Sequence, residues 1–443
     1  MHATKPVIGR FRRGFVWAQR YEALAFLLPV LVFTPSLLQY LGIASSLALG
    51  TCLAALPLIL AFAGRQHLPS RLTWNEGATL WVRVTLLLTV MFLHLLTAAL
   101  IQPVDFARAC LSVIPLLLVL AAGYGLGHLL VTTRSADVER AVNIAFVLLC
   151  ATGLSAISGF TPMRSEAYFK PVFPYTEPSH FALVFVPLLM FVCVQRRGLE
   201  RLVVLMGGLG FAWLLESLTL MAGWILVATV CLSKKTLLLL FAAIVPLAAQ
   251  LDLTYYLDRL NFGGDGQNLS TLVYVQGWQL LSESLQQTTG FGLGFQQMGV
   301  YGTNVASADA IYSLIGDNAN LLDGGFLLAK IGGEFGVFGF LIVLLYFRIA
   351  LSSARALRRQ SLSGSYSPAI NLARCVVVSF MLELLVRGAG YFSGTTILLV
   401  AGLTILSKGA AVRPAIARVY AHTGWNTLTI TNTAQRSPSG PKR

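Results

Sequence analysis

A carboxylate and an imidazole lie three residues apart in the segment YTEPSHFA, at Glu177 and His180. An apolar run begins directly after them, so we expect a helix to open here with both side chains on one of its faces. A pair of this kind can transfer protons as a general acid and base. The structural alternative is a helix start in which Ser179 is the N-cap and Glu177 is favoured by the helix dipole. The spacing alone is compatible with both interpretations.

Arg164 and Lys170 precede this segment in a stretch that is rich in aromatic residues, including Tyr175. Two cations suit a phosphate or a diphosphate, and an arginine adds a bidentate fork of N–H donors. An aromatic ring such as that of Tyr175 suits the apolar face of a sugar. The structural alternative is an interfacial loop with snorkelling cations and an aromatic belt. The stretch therefore predicts either an anion site or a membrane-interface anchor.

Two later apolar runs also carry ionisable residues. Lys330 and Glu334 are four residues apart, as are Glu383 and Arg387, so each pair can form an ion pair on one helix face. Ionisable groups at membrane depth are also candidates for function, because a buried charge there is costly. We expect Lys330 and Arg387 to serve either as structural partners or as parts of an anion clamp.

The longest polar stretch, residues 251–323, holds a single basic residue, Arg259, among acidic residues that include Asp317 and Asp323. Its glycine-rich part, TTGFGLGFQQMG at 288–299, predicts a tight turn whose amides either face an anion or only return the chain to the membrane. Upstream of it, STLVYVQGWQLLSESLQQ predicts an amphipathic helix on the membrane surface. The apolar face of that helix is formed by Val275, Trp278, Leu281 and Leu285.

Composition decides the class of protein. Of the 443 residues, 56% are hydrophobic and 11% are charged, and the mean hydropathy is +0.73. A soluble domain carries roughly 25% charged residues, so the composition excludes a soluble enzyme, a nucleic-acid-binding protein and a disordered chain. The six cysteines all lie in apolar runs without a CxxC pair, which argues against a disulfide framework or a thiolate metal site.

About twelve apolar runs are long enough, or nearly so, to cross a bilayer, which takes about 20 residues per helix. We expect both termini in the cytoplasm, because the net charge of +14 comes mostly from short basic segments between the runs. Residues 202–232 must then form a hairpin that turns near Glu216. Its two arms are short for membrane-spanning helices, so the number of transmembrane helices is eleven or twelve. The runs are 22–41, 43–63, 78–101, 109–131, 141–159, 181–195, 202–215, 218–232, 236–250, 324–347, 370–386 and 395–412.

On this layout, all but six of the 32 lysines and arginines lie on the cytoplasmic side, and the polar segments 160–180 and 251–323 lie on the opposite side. The sequence therefore predicts an all-α polytopic membrane protein with about twelve transmembrane helices and a large outer loop before the last three. Residues 1–413 form a single integral membrane domain, and residues 414–443 a mobile cytoplasmic tail. The six outer cations are Arg108, Arg164, Lys170, Arg259, Lys330 and Arg387.

These features resemble the Wzy-type O-antigen and exopolysaccharide polymerases, which share a superfamily with the O-antigen ligases. The resemblance rests on the number of spans, on the EPSHFA element that opens one of them and on the large outer loop. It also rests on the segment that runs from Trp278 through TTGFGLGF to DNANLLDGGFLLAKIGGEFGVFGF. As architecture it covers most of the chain; as sequence motif it covers YTEPSHFA and residues 288–339.

The resemblance implies an enzyme of the bacterial inner membrane whose site and large loop face the periplasm. It implies a glycosyltransferase without metal or cofactor, which moves a growing chain from undecaprenyl diphosphate onto the non-reducing end of a new undecaprenyl-diphosphate-linked oligosaccharide. Membrane lipids and a chain-length-regulating co-polymerase are the other partners that it implies.

This chemistry needs a base for the acceptor hydroxyl and cations for the departing diphosphate. We expect Glu177 to be the base, slightly ahead of Asp323, because Glu177 lies beside cations and aromatic residues at a helix start. The candidate catalytic residues are Glu177, Asp323, Asp317 and His180, and the candidate substrate-binding residues are Arg164, Lys170, Tyr175, Arg259, Lys330 and Arg387.

The sequence departs from the ligases in two ways, of which the first favours a polymerase and the second leaves open which cation binds the diphosphate. The ligases carry a histidine shortly before the helix that follows the large loop, whereas Asp323 occupies roughly that place here and no histidine lies between His180 and His422. The ligases also carry an arginine ahead of the loop tryptophan, whereas NLSTLVYVQGW has none and Arg259 is the available substitute. A ligase and a lipid-linked oligosaccharide flippase remain the alternatives. Transport is disfavoured because no internal repeat is visible and the unusual polar residues gather in the outer loops.

The predicted orientation can be tested by cysteine labelling in intact cells, in a background without the native cysteines. We expect Asp265→Cys to react with a membrane-impermeant thiol reagent, because it lies in the large outer loop. We expect Arg355→Cys to stay unlabelled until the membrane is permeabilised, because it lies in a basic cytoplasmic segment. Labelling of position 355 but not of position 265 would reverse the orientation.

Overall fold

The computed structural model describes residues 8–63, 74–160, 171–248, 268–300, 305–318, 320–363 and 367–422. Within these ranges the regular secondary structure is α-helical, and Val172 and Tyr175 form one isolated bridge pair. The helices are α1 (Ile8–Tyr40), α2 (Leu47–Ala63), α3 (Trp74–Ala98), α4 (Phe106–Thr132), α5 (Ser135–Ile157), α6 (Pro178–Gln195), α7 (Gly198–Leu214), α8 (Leu218–Cys231), α9 (Lys234–Ala248), α10 (Leu269–Gln287), α11 (Ala306–Ile315), α12 (Leu327–Ser363), α13 (Pro368–Ser379), α14 (Met381–Leu385) and α15 (Gly394–His422).

Within the described residues, each of the twelve predicted apolar runs contains a helix, although α9 is described only to Ala248 and α12 begins at Leu327 rather than at residue 324. In the described part of the chain, seven helical stretches are long and apolar enough to cross a membrane, and three shorter apolar helices accompany them. The chain is therefore an all-α polytopic membrane protein. The seven stretches are Glu22–Tyr40, Ala78–Ala98, Phe106–Thr132, Ser135–Ile157, Pro178–Gln195, Leu327–Ser361 and Pro368–Leu385, and the three shorter helices are Leu47–Ala63, Leu218–Cys231 and Gly394–Lys408.

Helix α6 forms the centre of the bundle. It packs against α5, α7, α8 and α13, and its residues from Phe181 to Val194 are all buried. The rings of Phe181 and Phe185 stack with centroids 5.1 Å apart, and Phe211 of α7 closes on Phe185 edge to face. A helix that is apolar all round belongs in such a core, where close packing rather than exclusion of water holds neighbouring membrane helices together.

The hairpin predicted for residues 202–232 is present. Helices α7 and α8 pack on each other and turn at Glu216, which adopts a left-handed backbone with φ 48°. The 14 residues of α8 span only about 21 Å at the helical rise of 1.5 Å per residue. Such a short helix is tolerated because it is enclosed by protein: Trp224 is 2% exposed, and its indole N–H donates to the Leu205 carbonyl at 2.8 Å.

A buried arginine ties three helix ends together. The guanidinium of Arg201 donates to the carbonyls of Arg196, Cys231 and Ser361, which follow or end α6, α8 and α12, at distances of 2.7–3.0 Å. The last carbonyls of a helix lack partners within that helix and carry a partial negative charge, so a cation is the matching group. This contact fixes the end of the bundle at which α6 and α8 finish.

Two details differ from expectation. In α10 the buried side chains include Val273, Gln276 and Leu280, whereas Trp278 is 44% exposed. The predicted apolar face is therefore only partly right, because α10 packs on α11 and α12 rather than presenting one continuous apolar stripe. At the other end of the chain, α15 continues past the predicted boundary at residue 413 to His422, and residues 423–443 of the predicted tail lie outside the described residues.

The glycine-rich segment, residues 288–299, crosses α12 where that helix is broken. Gly336 interrupts α12 with φ 55° and ψ −134°. Three backbone hydrogen bonds join the glycine-rich segment to α12 at the break. The N–H groups of Leu293 and Gly294 donate to the carbonyls of Gly333 and Glu334, and the N–H of Val337 donates to the carbonyl of Gly290. A side chain at Gly336 would place its Cβ 2.1 Å from the Gly290 carbonyl oxygen. The crossing therefore requires glycine at this position.

We expect Gly336→Ala to destabilise the protein by at least about 1–3 kcal/mol from backbone strain alone, and by more through the clash with Gly290. The measurement is the thermal melting of the purified protein in detergent. Gly207→Ala in α7 is the matched control, because its Cβ would meet no atom within 4 Å and alanine favours helix by up to about 1 kcal/mol. Equal melting temperatures for the two variants would contradict the account of the crossing.

Candidate functional site

Two acid–cation pairs lie where α6 and α12 begin and where residues 386–393 connect α14 to α15. The first pair joins Glu177, directly before α6, to Arg387 in the 386–393 connection. The second joins Asp323, four residues before α12, to Lys330 in its first turns. The fold therefore brings four of the charged candidates into two pairs at one end of the bundle.

In the first pair, one terminal nitrogen of Arg387 lies 3.0 Å from both carboxylate oxygens of Glu177. The hydroxyl of Ser179 donates to the same carboxylate at 2.7 Å, and His180 Nδ1 lies 3.2 Å from Thr176 Oγ1. Glu177 occupies the N-cap position of α6 but makes no capping hydrogen bond. The alternative in which Ser179 is the N-cap is wrong, because α6 begins at Pro178 and Ser179 lies in its first turn, where its hydroxyl donates to Glu177.

The pairing determines the basicity of Glu177. Burial raises the pKa of its carboxyl group, but the charges of Arg387 and His180 and the hydrogen bonds from Ser179 and Arg387 lower it more, to about 2. The carboxylate is thus ionised throughout the neutral range and is a weak proton acceptor there. Its side chain is 42% exposed, so it is held by its partners while facing outward.

The ion pair that the spacing of Glu383 and Arg387 allowed does not form. Glu383 is 1% exposed and accepts hydrogen bonds from Ser393, at 2.9 Å, and from Thr395. Arg387 turns instead to Glu177, 210 residues away in sequence. Glu383 therefore fastens the start of α15, and with it one end of the 386–393 connection, and leaves Arg387 available to the site.

Arg387 keeps donor capacity beyond its pair. Its side chain is 13% exposed, and its Nε is buried without a hydrogen-bond partner among the described residues. A buried donor without a partner costs free energy comparable to a lost hydrogen bond. The guanidinium therefore keeps an N–H group that can donate to a further anionic ligand.

In the second pair, Lys330 is 1% exposed, whereas the Asp323 side chain is 48% exposed. The ammonium group donates to Asp323 Oδ1 at 2.9 Å and to the Leu322 carbonyl, and it lies 5.2 Å from the centre of the Tyr391 ring. The predicted partner, Glu334, is farther away at 3.8 Å. The buried Lys330 ammonium therefore contacts the inner side of the exposed Asp323 carboxylate.

Glu334 is fully buried, with 0% exposure. Its Oε2 accepts the hydroxyl proton of Tyr391 at 2.9 Å, and the backbone amides of Gln296 and Met298 in the glycine-rich segment approach the carboxylate. Burial and the neighbouring Glu334 raise the pKa of Tyr391 well above its usual value, so the phenol remains a donor. The anion that these amides face is therefore the chain's own carboxylate.

The 386–393 connection links the two pairs. It carries Arg387 of the first pair and Tyr391, which contacts Lys330 and Glu334 of the second. Between them, Gly388 N–H donates to the Gly325 carbonyl at 2.8 Å, which joins the connection to the start of α12. The two pairs are therefore held by one connection, and together we call them the paired-charge site.

The remaining candidates are placed elsewhere. Tyr175 is 1% exposed and its hydroxyl donates to the Val32 carbonyl at 3.2 Å, so it is a packing residue with no face open to a substrate. Asp317 is exposed after α11 and accepts the Asn318 N–H at 2.7 Å. Three predicted cations, Arg164, Lys170 and Arg259, lie outside the described residues.

The structure adds residues that sequence reasoning did not assign to the site. Tyr391 joins Lys330 to Glu334, and its only signal was its place four residues after Arg387. Arg108, in the first turn of α4, donates through Nε to the Gln296 carbonyl at 2.9 Å. Its signal was its presence among the outer cations of the charge distribution.

The fold and the site define an α-helical membrane protein with a polar, charge-paired cluster at one end of its bundle. No protein-family model matches the chain, and no curated protein is significantly similar to it. The function is therefore inferred from the residues and their geometry.

The low pKa of Glu177 has a consequence for stability at acid pH. Because its folded-state pKa of about 2 lies below the usual 4.5, the pair stabilises the fold above about pH 4.5 and this contribution is lost as the pH falls towards 2. We expect the melting temperature to fall more steeply between about pH 5 and pH 3 in the wild type than in Glu177→Gln. Asp309→Asn, at an exposed carboxylate of α11, is the control and should follow the wild type. Parallel curves for all three proteins would contradict the pairing.

Proposed function

We propose that the protein polymerises polyprenyl-diphosphate-linked oligosaccharide repeat units, by transferring the growing chain onto the non-reducing end of a new lipid-linked unit. The observation that carries this proposal is the paired-charge site, which presents an outward carboxylate at Asp323 and an incompletely bonded guanidinium at Arg387. Glycosyl transfer from a diphosphate needs these two kinds of group: a proton acceptor and a cation for the leaving group.

In the proposed reaction, the acceptor hydroxyl oxygen attacks the anomeric carbon of the donor chain while Asp323 takes its proton. The bond between that carbon and the diphosphate oxygen breaks, and its electron pair leaves with the diphosphate. Arg387 stabilises the charge that develops there, since a guanidinium matches phosphate oxygens with several N–H donors. The proton on Asp323 then passes to water, and polyprenyl diphosphate is released.

The geometry favours Asp323 over Glu177 as the base. A carboxylate with a pKa of about 2, as at Glu177, has little affinity for a proton at neutral pH. Asp323 shares one oxygen with Lys330, and within the described residues its second oxygen makes no hydrogen bond. We therefore assign Glu177 the role of orienting Arg387, which reverses the order expected from sequence.

The same proposal includes the arrangement in the membrane. The chain crosses the bacterial inner membrane about twelve times, and the paired-charge site and the 251–323 loop face the periplasm. The helix ends support a site on a single side of the membrane, because α6 and α12 both begin there and α14 ends there. Undecaprenyl-diphosphate-linked oligosaccharide is the substrate class, without metal or cofactor, and a chain-length-regulating co-polymerase is the expected protein partner.

The proposal is tested with purified protein and lipid-linked repeat units in vesicles, without added metal or nucleotide. We expect Asp323→Asn to reduce the initial rate of elongation by about 10²–10⁴-fold, the usual contribution of a positioned base. Glu177→Gln should retain activity but raise KM, because Arg387 is then less well oriented. Asp309→Asn, at an exposed carboxylate of α11, is the control and should match the wild type.

The outcomes separate the alternatives. No elongation by the wild type, with transfer of the glycan to a different lipid acceptor, would replace polymerase by ligase. Movement of the lipid-linked unit across the vesicle bilayer without a new glycosidic bond would replace it by flippase. Full activity of Asp323→Asn with an inactive Glu177→Gln would return the role of base to Glu177.

A further inference from the structure

Helix α10 crosses the residues directly before α12 at two glycines. A Cβ at Gly277 would come within 2.2 Å of the Gly324 carbonyl oxygen, and a Cβ at Gly325 would come within 2.5 Å of the Val273 carbonyl oxygen. Because neither glycine carries a side chain, backbone lies directly against backbone at this crossing. The contact therefore brings the neighbours of Gly277 in α10 close to the neighbours of Gly324.

Two exposed residues adjoin this crossing. Asp323, the proposed base, directly precedes Gly324, and its side chain is 48% exposed. Trp278 directly follows Gly277 and is 44% exposed. Consecutive Cα atoms are about 3.8 Å apart, so each of the two residues lies one step along the chain from the same backbone contact. The paired-charge site therefore has an exposed indole in the neighbourhood of its exposed carboxylate.

The indole of Trp278 is supported by two other aromatic rings. Its centroid lies 5.1 Å from that of Phe326, which is fully buried, and 6.3 Å from that of Tyr274, whose plane is nearly perpendicular to it. Tyr274 and Phe326 also pack on each other, with centroids 4.9 Å apart. Such contacts fix the orientation of an aromatic ring. Trp278 is thus held in place by the protein while much of its surface stays open.

The open side of Trp278 belongs to a polar stripe of α10. Residues four apart lie on one face of a helix, and the next two on this stripe, Ser282 and Gln286, are polar and exposed. The Gln286 amide donates to the Ser282 hydroxyl at 3.2 Å. A helix face that contacts acyl chains is apolar, so this stripe is suited to water. Trp81 differs, because it is 72% exposed within the apolar stretch of α3.

We propose that Trp278 stacks on the sugar ring that carries the attacking hydroxyl, at the non-reducing end of the acceptor unit. The proposal rests on the proposed function and names a contact through which the site holds its acceptor. The C–H groups on one face of a sugar ring are apolar and match the negative face of an aromatic ring, whereas the hydroxyls project from the edge of the sugar. A sugar stacked on Trp278 can therefore present an edge hydroxyl to Asp323, while the donor diphosphate binds Arg387.

The first measurement locates Trp278 relative to the bilayer without any substrate. The wild type, Trp278→Phe and Trp81→Phe are reconstituted in vesicles of phosphatidylcholine that carries bromine on its acyl chains. The emission of each tryptophan is obtained as the difference between the wild type and the variant. We expect the brominated lipid to quench Trp81 but not Trp278, which acrylamide in the water should quench. Quenching of Trp278 by the brominated lipid would make it a membrane anchor and overturn the proposal.

The second measurement is the rate of elongation in vesicles supplied with lipid-linked repeat units. Trp278→Ala should raise KM by about 3–10-fold, which corresponds to the loss of one aromatic stack, and leave kcat nearly unchanged because the base is intact. Trp278→Phe keeps an aromatic face and should restore most of the KM, whereas Trp278→Leu should not. Trp81→Ala is the matched control and should keep the wild-type KM. Melting temperatures show that each variant is folded.

Binding of the glycan alone separates this proposal from the proposed function. The oligosaccharide is released from the lipid-linked unit by mild acid and titrated against the wild type and Trp278→Phe, with no donor present. We expect the difference emission of Trp278 to change, because a stacked sugar displaces water from the indole. A change without elongation by the wild type would reject the polymerase while the sugar site stands. Elongation with no change in emission and a wild-type KM in Trp278→Ala would reject the sugar site while the polymerase stands.

Discussion

The buried charges of α12 are the constraint on which the surrounding structure depends. Lys330 and Glu334 are almost completely buried, with 1% and 0% exposure, and at membrane depth neither can rely on water for compensation. Lys330 Nζ and Glu334 Oε1 lie 3.8 Å apart, so the attraction between the two charges compensates only part of the cost of burying them. The remaining partners come from the residues just before α12 and from two segments distant in sequence, and the chain has to bring these segments to the start of α12.

Three segments meet that requirement. The residues before α12 supply Asp323 and the Leu322 carbonyl, the 386–393 connection supplies Tyr391, and the glycine-rich segment brings its amides close to Glu334. The last of these approaches closely enough only because α12 is broken at Gly336 and its backbone pairs with the segment there. A polar requirement inside one helix thus organises three loops, and the same loops carry the groups that face outward at the site.

Charged groups at the two ends of the bundle differ in how completely they are hydrogen-bonded. At one end, Arg201 is satisfied by the carbonyls of three helix ends and closes the structure with its own groups. At the other end, Arg387 and Asp323 keep donor or acceptor positions without partners among the described residues. Saturated polar groups stabilise, whereas unsaturated ones are available to a ligand. We therefore assign the function to the groups around Arg387 and Asp323.

Much of the fold was predictable from the sequence because it depends on local properties. Length and apolarity identified every one of the twelve apolar runs that proved helical, and the short break at Glu216 identified the α7–α8 hairpin, since the length of an apolar run and its flanking charges are read along the chain. The candidate site was predictable in composition: Glu177, Asp323, Lys330 and Arg387 were all identified. Their pairing was not, because the helical spacing of Glu383 and Arg387 suggested a local ion pair. Only tertiary structure brings Arg387 to Glu177 across 210 residues and lowers the basicity of that carboxylate.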